Sequence, residues 1–188
     1  MEDINNMLLS WKLPILYSLS EEDRIKCYDF AKEVVKTTNY SDTNQNNINK
    51  IKFDHYISKL GEVAVYNILK RKFTTIEEPD FTIYNQYGKS FDSDLYIDTI
   101  GYAVKSQSAG QGEKYGISWV FQNYPRHDPI LEKLDSWVFF CTIKSDEKTA
   151  RIYPPCQIKN IIFEEPKLDY LKGKKKVVYV DKIYKKSS

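Results

Sequence analysis

One apolar stripe constrains this chain more than any other feature. Between residues 51 and 72, Ile51, Tyr56, Ile57, Leu60, Ala64, Ile68 and Leu69 recur about every 3.6 residues, the period of one helix face. A helix with such a stripe must lay it against something. The residues that follow supply a surface, because the texture changes at once to aromatic and β-branched. Residues 73–76, 81–84, 95–97, 100–105 and 116–122 read as strands, expected to join one mixed sheet.

Other segments add to this frame. Ser20 offers an N-cap hydroxyl ahead of Glu21, Glu22 and Asp23, and Ile25, Tyr28, Ala31, Val34 and Val35 continue at helical spacing, so residues 21–36 are expected to be a helix. Residues 37–49 are polar and rich in asparagine and read as a loop. Asp128-Pro129 reads as an N-cap with proline in the first turn of a short helix carrying Ile130, Leu131 and Leu134. Residues 137–143 read as a buried strand, residues 150–153 as the strand after a charged turn, and residues 177–180 as a last strand. The expected class is α/β: a single domain with a central mixed β-sheet flanked by helices. It divides into an N-terminal helical part of about residues 1–50, a core of about 51–155 and a basic extension of about 156–188.

At 188 residues the chain is long enough to bury a core without disulfide or metal staples. Cys27, Cys141 and Cys156 lie far apart with no Cys-x-x-Cys pair, which favours neither a disulfide framework nor structural zinc. No apolar run approaches the roughly 20 residues of a membrane span. The first residues carry acids where a signal peptide carries bases. The expectation is a cytoplasmic protein with no membrane partner. A net charge of +2 does not by itself demand nucleic acid, but its distribution is uneven. Lys172, Lys174, Lys175 and Lys176, followed by Lys182, Lys185 and Lys186, form either a phosphate-contacting surface or a solvated turn and tail.

Chemistry concentrates between residues 93 and 107. Residues 98–101 have turn character between two strand-like runs, so Asp94 and Lys105 fall at matching ends of a hairpin. A carboxylate and a lysine held together on rigid strands suit phosphodiester cleavage, the acid binding Mg²⁺ and the amine orienting water and stabilising charge. The competing reading makes both solvated residues at strand ends.

Residues 60–143 resemble the PD-(D/E)XK nuclease superfamily, which includes many restriction endonucleases and Holliday-junction resolvases. The shared features are Gly61-Glu62 on a helix, Asp94 opening a hairpin, a strand ending in Val104-Lys105, and the helix and strand that follow. The resemblance implies a restriction endonuclease-like fold, with Asp94 as the metal-ligating aspartate and Lys105 as the motif lysine. It also implies Glu62 as an acid serving metal, water or Lys105, and the Val104 backbone carbonyl as a further metal ligand.

The chain departs from the pattern at Ala103, where the family places Asp or Glu. Glu62, Asp80, Asp92 or Gln107 is expected to compensate. Pro79-Asp80 spells the first motif literally but precedes the hairpin, so Asp80 ranks below Asp94 as ligand and reads as a turn residue or supporting acid.

The polar run of residues 106–115 reads as a loop, and with its neighbours it offers DNA contacts: Ser106, Gln107, Lys114, Gln122, Asn123, Arg126, Lys174, Lys175 and Lys176. His127 reads as a surface residue. The implied activity is Mg²⁺-dependent endonucleolytic hydrolysis of DNA, with Mn²⁺ as a substitute, by a homodimer of the restriction or structure-specific type. Two rivals stand beside it. Ala103 motivates a DNA-binding protein with a degenerate nuclease fold, and the near-neutral charge motivates an interaction domain with no nucleic-acid role.

Overall fold

The computed structural model describes residues 4–37, 47–84, 93–98 and 100–183. Its helices are α1 (Ile4–Ser10), α2 (Glu21–Thr37), α3 (Ile48–Leu69), α4 (Ala109–Tyr115) and α5 (Val180–Ile183). Its strands are β1 (Ile15–Ser18), β2 (Leu95–Ile97), β3 (Ile100–Ser108), β4 (Ser118–Gln122), β5 (Trp137–Ile143), β6 (Thr149–Ile152), β7 (Cys156–Gln157) and β8 (Lys175–Tyr179). The main sheet runs β1-β6-β5-β3-β2 with β7 also on β5, and it is mixed because β3 and β5 are parallel while the other pairs are antiparallel. None of the described helices is long and apolar enough to cross a membrane.

The stripe on α3 does what its period requires. Tyr56, Ile57, Leu60, Val63 and Ala64 are buried in one cluster with Val104 of β3 and Phe139, Cys141 and Ile143 of β5. Asn47 starts the helix, its side chain accepting from the backbone N–H groups of Asn49 and Lys50. Side chains alternate along a strand, so Ala103, Val138 and Phe140 face the other way, into a second cluster with Trp119, Phe121, Ile130 and Tyr153. All seven residues of β5 are buried, as a strand covered on both faces must be.

Four expectations are corrected. Residues 116–122 do form a strand, but β4 pairs antiparallel with β8 in a separate two-stranded sheet. Its inward residues Trp119 and Phe121 lie on the face of the main sheet opposite α3, where an unlined sheet face would otherwise meet water, and Trp119 Nε1 donates to Cys141 O at 2.8 Å. Residues 73–76 and 81–84 are not strands. Ile76 makes one bridge to Ile97, and Phe81 turns in to meet Phe30 edge-on, ring centroids 5.6 Å apart.

The run 106–115 is not a loop. β3 stays paired with β5 as far as Ser108, with the Gln107 side chain bonded to Ser118 N and Gly116 O, and α4 follows. The helix foreseen after Pro129 is only a 3₁₀ turn, Pro129–Glu132, and Asp128 makes no side-chain cap bond because its carboxylate is used elsewhere. The helix α1 and the edge strand β1 carry no strong periodicity and were not expected. Residues 38–46, expected to be a loop, lie outside the described residues.

One contact sets how closely α3 approaches the sheet. A Cβ on Gly61 would collide with Ser106 Oγ and lie 3.1 Å from Ser106 Cβ. Glycine in a helix interior ordinarily costs about 1 kcal/mol relative to alanine, so Gly61→Ala would stabilise an isolated helix. Here overpacking wins. Gly61→Ala is expected to destabilise the protein by about 1–3 kcal/mol, read as a lower midpoint in urea with unchanged slope.

Candidate active site

The hairpin brings Asp94 and Lys105 to one place. Asp98, at φ 48°, begins the tight connection, and Ile97 pairs with Ile100 and Leu95 with Tyr102. Asp94 N donates to Tyr102 O at 3.0 Å, and Asp94 Oδ2 accepts from Val104 N at 2.7 Å. What the structure ties to Asp94 is therefore the Val104 amide. Lys105 has the same parity as Ala103 and projects onto the face covered by β4, with its Nζ 4.8 Å from the Phe121 ring centroid.

The partner of Lys105 lies 23 residues away. Lys105 Nζ donates to Asp128 Oδ2 at 2.8 Å, and the same oxygen accepts from Gln122 N at 3.0 Å. Both ion-pair side chains keep about a fifth of their surface, 23% and 22%, open to solvent. Asp94 feels this pair. Desolvation raises its pKa above the ordinary 3.8 and the Asp128 charge adds to the rise, while the Val104 N–H, Lys105 and Lys59 oppose it without cancelling it. Two carboxylates and a lysine thus share one electrostatic neighbourhood.

Behind them is a buried pair on α3. Lys59 Nζ meets Glu62 Oε2 at 2.5 Å, with both side chains under 10% exposed (9% and 8%), and also donates to Asp80 O at 2.9 Å. The Lys59 ammonium lies 4.6 and 5.2 Å from the ring centroids of Phe30 and Phe81. Glu62 is therefore turned inward, and it and Asp94 both sense Lys59.

Asp80 is a turn residue: its carboxylate accepts from Thr82 N at 2.8 Å and Tyr84 Oη at 2.7 Å. Desolvation alone would raise its pKa, but these hydrogen bonds outweigh it and leave the pKa lowered. Asp92 lies outside the described residues.

The basic C-terminal stretch is folded back onto the site. Lys175 stands opposite Gln122 in the β4–β8 ladder and donates to its side-chain oxygen. Burial depresses the Lys175 pKa, opposed by Asp128 and helped by Arg126 and Lys105, so all three charges lie within electrostatic reach of Lys175. Asn123 N and Tyr124 N both donate to Lys174 O, and Asn123 Nδ2 donates to Gly173 O, which makes Asn123 a structural clamp.

Of the other expected DNA contacts, some are buried and some lie at the surface. The Ser106 hydroxyl is buried under α3 against Gly61. Buried Gln107 accepts from Ser118 N and donates to Gly116 O. Lys114 and Arg126 are exposed, and Lys176 Nζ lies 5.7 Å from the Phe163 ring centroid. His127 is at the surface, 3.5 Å from Glu132.

Sequence reasoning missed Asp128 and Lys59. Asp-Pro is also a common way to start a helix, so nothing marked Asp128 as a partner of Lys105. Lys59 left one trace, its i,i+3 spacing from Glu62 beside the apolar stripe. Among the described residues no group of three or more His, Cys, Asp or Glu side chains is placed to hold a metal. Comparisons with protein-family models, with curated proteins and with solved structures found no match. Function must then be argued from the geometry of the site.

The raised pKa of Asp94 has a definite sign in stability. The folded state holds this proton more tightly than the unfolded chain, so the contribution of Asp94 to stability is fully present below 3.8 and is lost as pH rises through the raised folded-state value. Asp94→Asn removes that loss while its amide oxygen still accepts from Val104 N. In metal-free buffer the variant is expected to melt above the wild type at neutral pH, with the difference vanishing below 3.8. Thermal unfolding followed by circular dichroism across that range checks it.

Proposed function

We propose that this chain is a metal-dependent DNA endonuclease of the PD-(D/E)XK kind, with Asp128 supplying the second acid that the motif lacks at Ala103. The observation that carries the reading is the 2.8 Å bond from Lys105 to Asp128, beside an Asp94 whose charge both of them perturb. Ala103 itself is only 4% exposed and packs against apolar neighbours, so an acid there would be buried without a partner. An acid entering from the 128 turn reaches the same face of β3. The mixed sheet, its parallel central pair and the helix carrying Glu62 support a restriction endonuclease-like fold.

The donor set suits magnesium, which binds through one or two carboxylates and leaves its other positions to water and phosphate. Asp94 and Asp128 are the residues that would hold it, and the mutual repulsion of their charges is what a cation would relieve. When bound, the ion would supply Lewis-acid stabilisation of the charge that develops on the scissile phosphate. The chain's own groups do the rest. Asp128 holds the Lys105 ammonium in place, and the Phe121 ring face packs against it from beneath. Lys105 then presents an N–H to the attacking water or to a non-bridging phosphate oxygen. Lys59 keeps Glu62 paired and adds positive potential behind Asp94.

A second reading, a DNA-binding protein with a degenerate nuclease site, draws on Ala103 and on the lack of a three-acid group among the described residues. Purified protein incubated with supercoiled, linear and branched DNA, with and without Mg²⁺ or Mn²⁺, separates the two. The nuclease reading expects cutting only with metal. Asp94→Asn, Asp128→Asn and Lys105→Ala are each expected to slow it by about 10²–10³, with DNA affinity largely kept. Metal-dependent cutting that survives in all three variants would remove these residues from the mechanism, and tight binding without cutting favours the second reading.

A further inference from the structure

A cleft of about 930 Å³ opens beside the proposed site, between α4 with the first half of α3 on one side and β4, β8 and the 166–171 segment on the other. Its wall combines apolar side chains with exposed charge. Lys50, Lys114 and Lys167 line it against a single acid, Asp54, which is already paired with Lys50 at 2.6 Å. Two tyrosines stand open in it, Tyr115 at 41% and Tyr170 at 68% exposure. They come from opposite walls. Lys114 lies 5.0 Å from the Tyr115 ring centroid and close enough to Tyr170 to sense its hydroxyl. Lys167 lies 4.8 Å from the Tyr179 ring centroid, on the Tyr170 side.

The cleft runs toward the chemistry. Gln107, two residues along β3 from Lys105 and on the same face, is part of its lining, and so is Gln122, whose backbone N–H donates to Asp128. The lining thus reaches the immediate neighbours of the Lys105–Asp128 pair.

We propose that this cleft takes one unpaired DNA strand, with Tyr115 and Tyr170 stacking on bases and Lys114 and Lys167 meeting phosphates, so that the enzyme acts where single-stranded DNA joins a duplex. Exposed rings alternating with lysines are the combination that binds single strands without reading sequence, since every base has a face to stack and every linkage has a charge. The volume falls within the range of small-molecule sites, roughly 300–1,000 Å³. A duplex, whose major groove alone is about 12 Å wide, does not fit inside, while a splayed strand does. The inference rests on the nuclease reading for its substrate, but the binding it describes needs neither metal nor cutting.

The test uses the full chain in EDTA and fluorescence anisotropy on three DNAs: a single strand of about 12 nucleotides, a blunt duplex, and the duplex with that strand as an overhang. Single strand and overhang are expected to bind at least about tenfold more tightly than the blunt duplex. Tyr115→Ala and Tyr170→Ala should each weaken single-strand binding about tenfold or more, whereas the phenylalanine variants keep it. Lys114→Gln should lower the slope of log affinity against log salt by about 0.7. Equal affinity for the blunt duplex, no binding to any of the three, or no loss on removing either ring overturns the proposal. Cleavage assayed separately keeps the readings apart. Strand binding without metal-dependent cutting sinks only the nuclease reading, and cutting of blunt duplex without strand preference sinks only this one.

Discussion

Parallel pairing of β3 with β5 is the constraint on which the rest of the molecule depends. A parallel pair in the middle of a sheet is stable only when both faces are kept from water, and every residue of β5 is buried. One cover is α3, which can lie flat because Gly61 lets its backbone settle onto Ser106. The other is the β4–β8 ribbon, which turns Trp119 and Phe121 inward. The β2 ladder ends where Leu95 meets Tyr102, so β3 runs on past the hairpin. Lys105 emerges there, on the face covered by β4, with its side chain partly open to solvent.

That position explains why the charges are arranged as they are. A partly buried ammonium needs an acceptor, and Ala103, the nearest side chain on its face, offers none. The chain answers with residues that are distant in sequence. Asp128 reaches Lys105 across 23 residues, Lys59 holds the Asp80 carbonyl across 21, and Lys175 binds Gln122 across 53. The first ties the turn at Asp128 to β3, the second ties the segment at Asp80 to α3, and the third adds to the β4–β8 ribbon. The strength of such pairs is modest. Their value here is position: they decide which charges stand near Asp94.

Much of this was legible from local pattern. The periodic residues of α2 and α3, the β2–β3 hairpin about Asp98, and the uninterrupted apolar run of β5 each carry a signal within a few residues, and each forms close to where it was read. Local pattern left Glu62 open, and it is the pairing with Lys59 that turns it inward. Local pattern failed where a segment's role depends on what it meets. Residues 81–84 have strand texture yet serve to pack Phe81 on Phe30 and Lys59, and the polar residues 106–108 looked like a loop yet stay in the sheet because Ser118 and Gly116 satisfy Gln107.

The amino-acid sequence alone therefore determined the alternation of helix and strand, the hairpin that presents Asp94 and Lys105, and the long helix that backs them. These follow from periodicity and turn chemistry, which act over one to a few turns of chain. Tertiary structure decided that β4 leaves the main sheet for β8, that the basic run at residues 174–176 lies against the site, and that Asp128 is the partner of Lys105. The physical reason is that a buried charge and an uncovered sheet face are satisfied by whichever group arrives in space, and neither periodicity nor composition records which one that is.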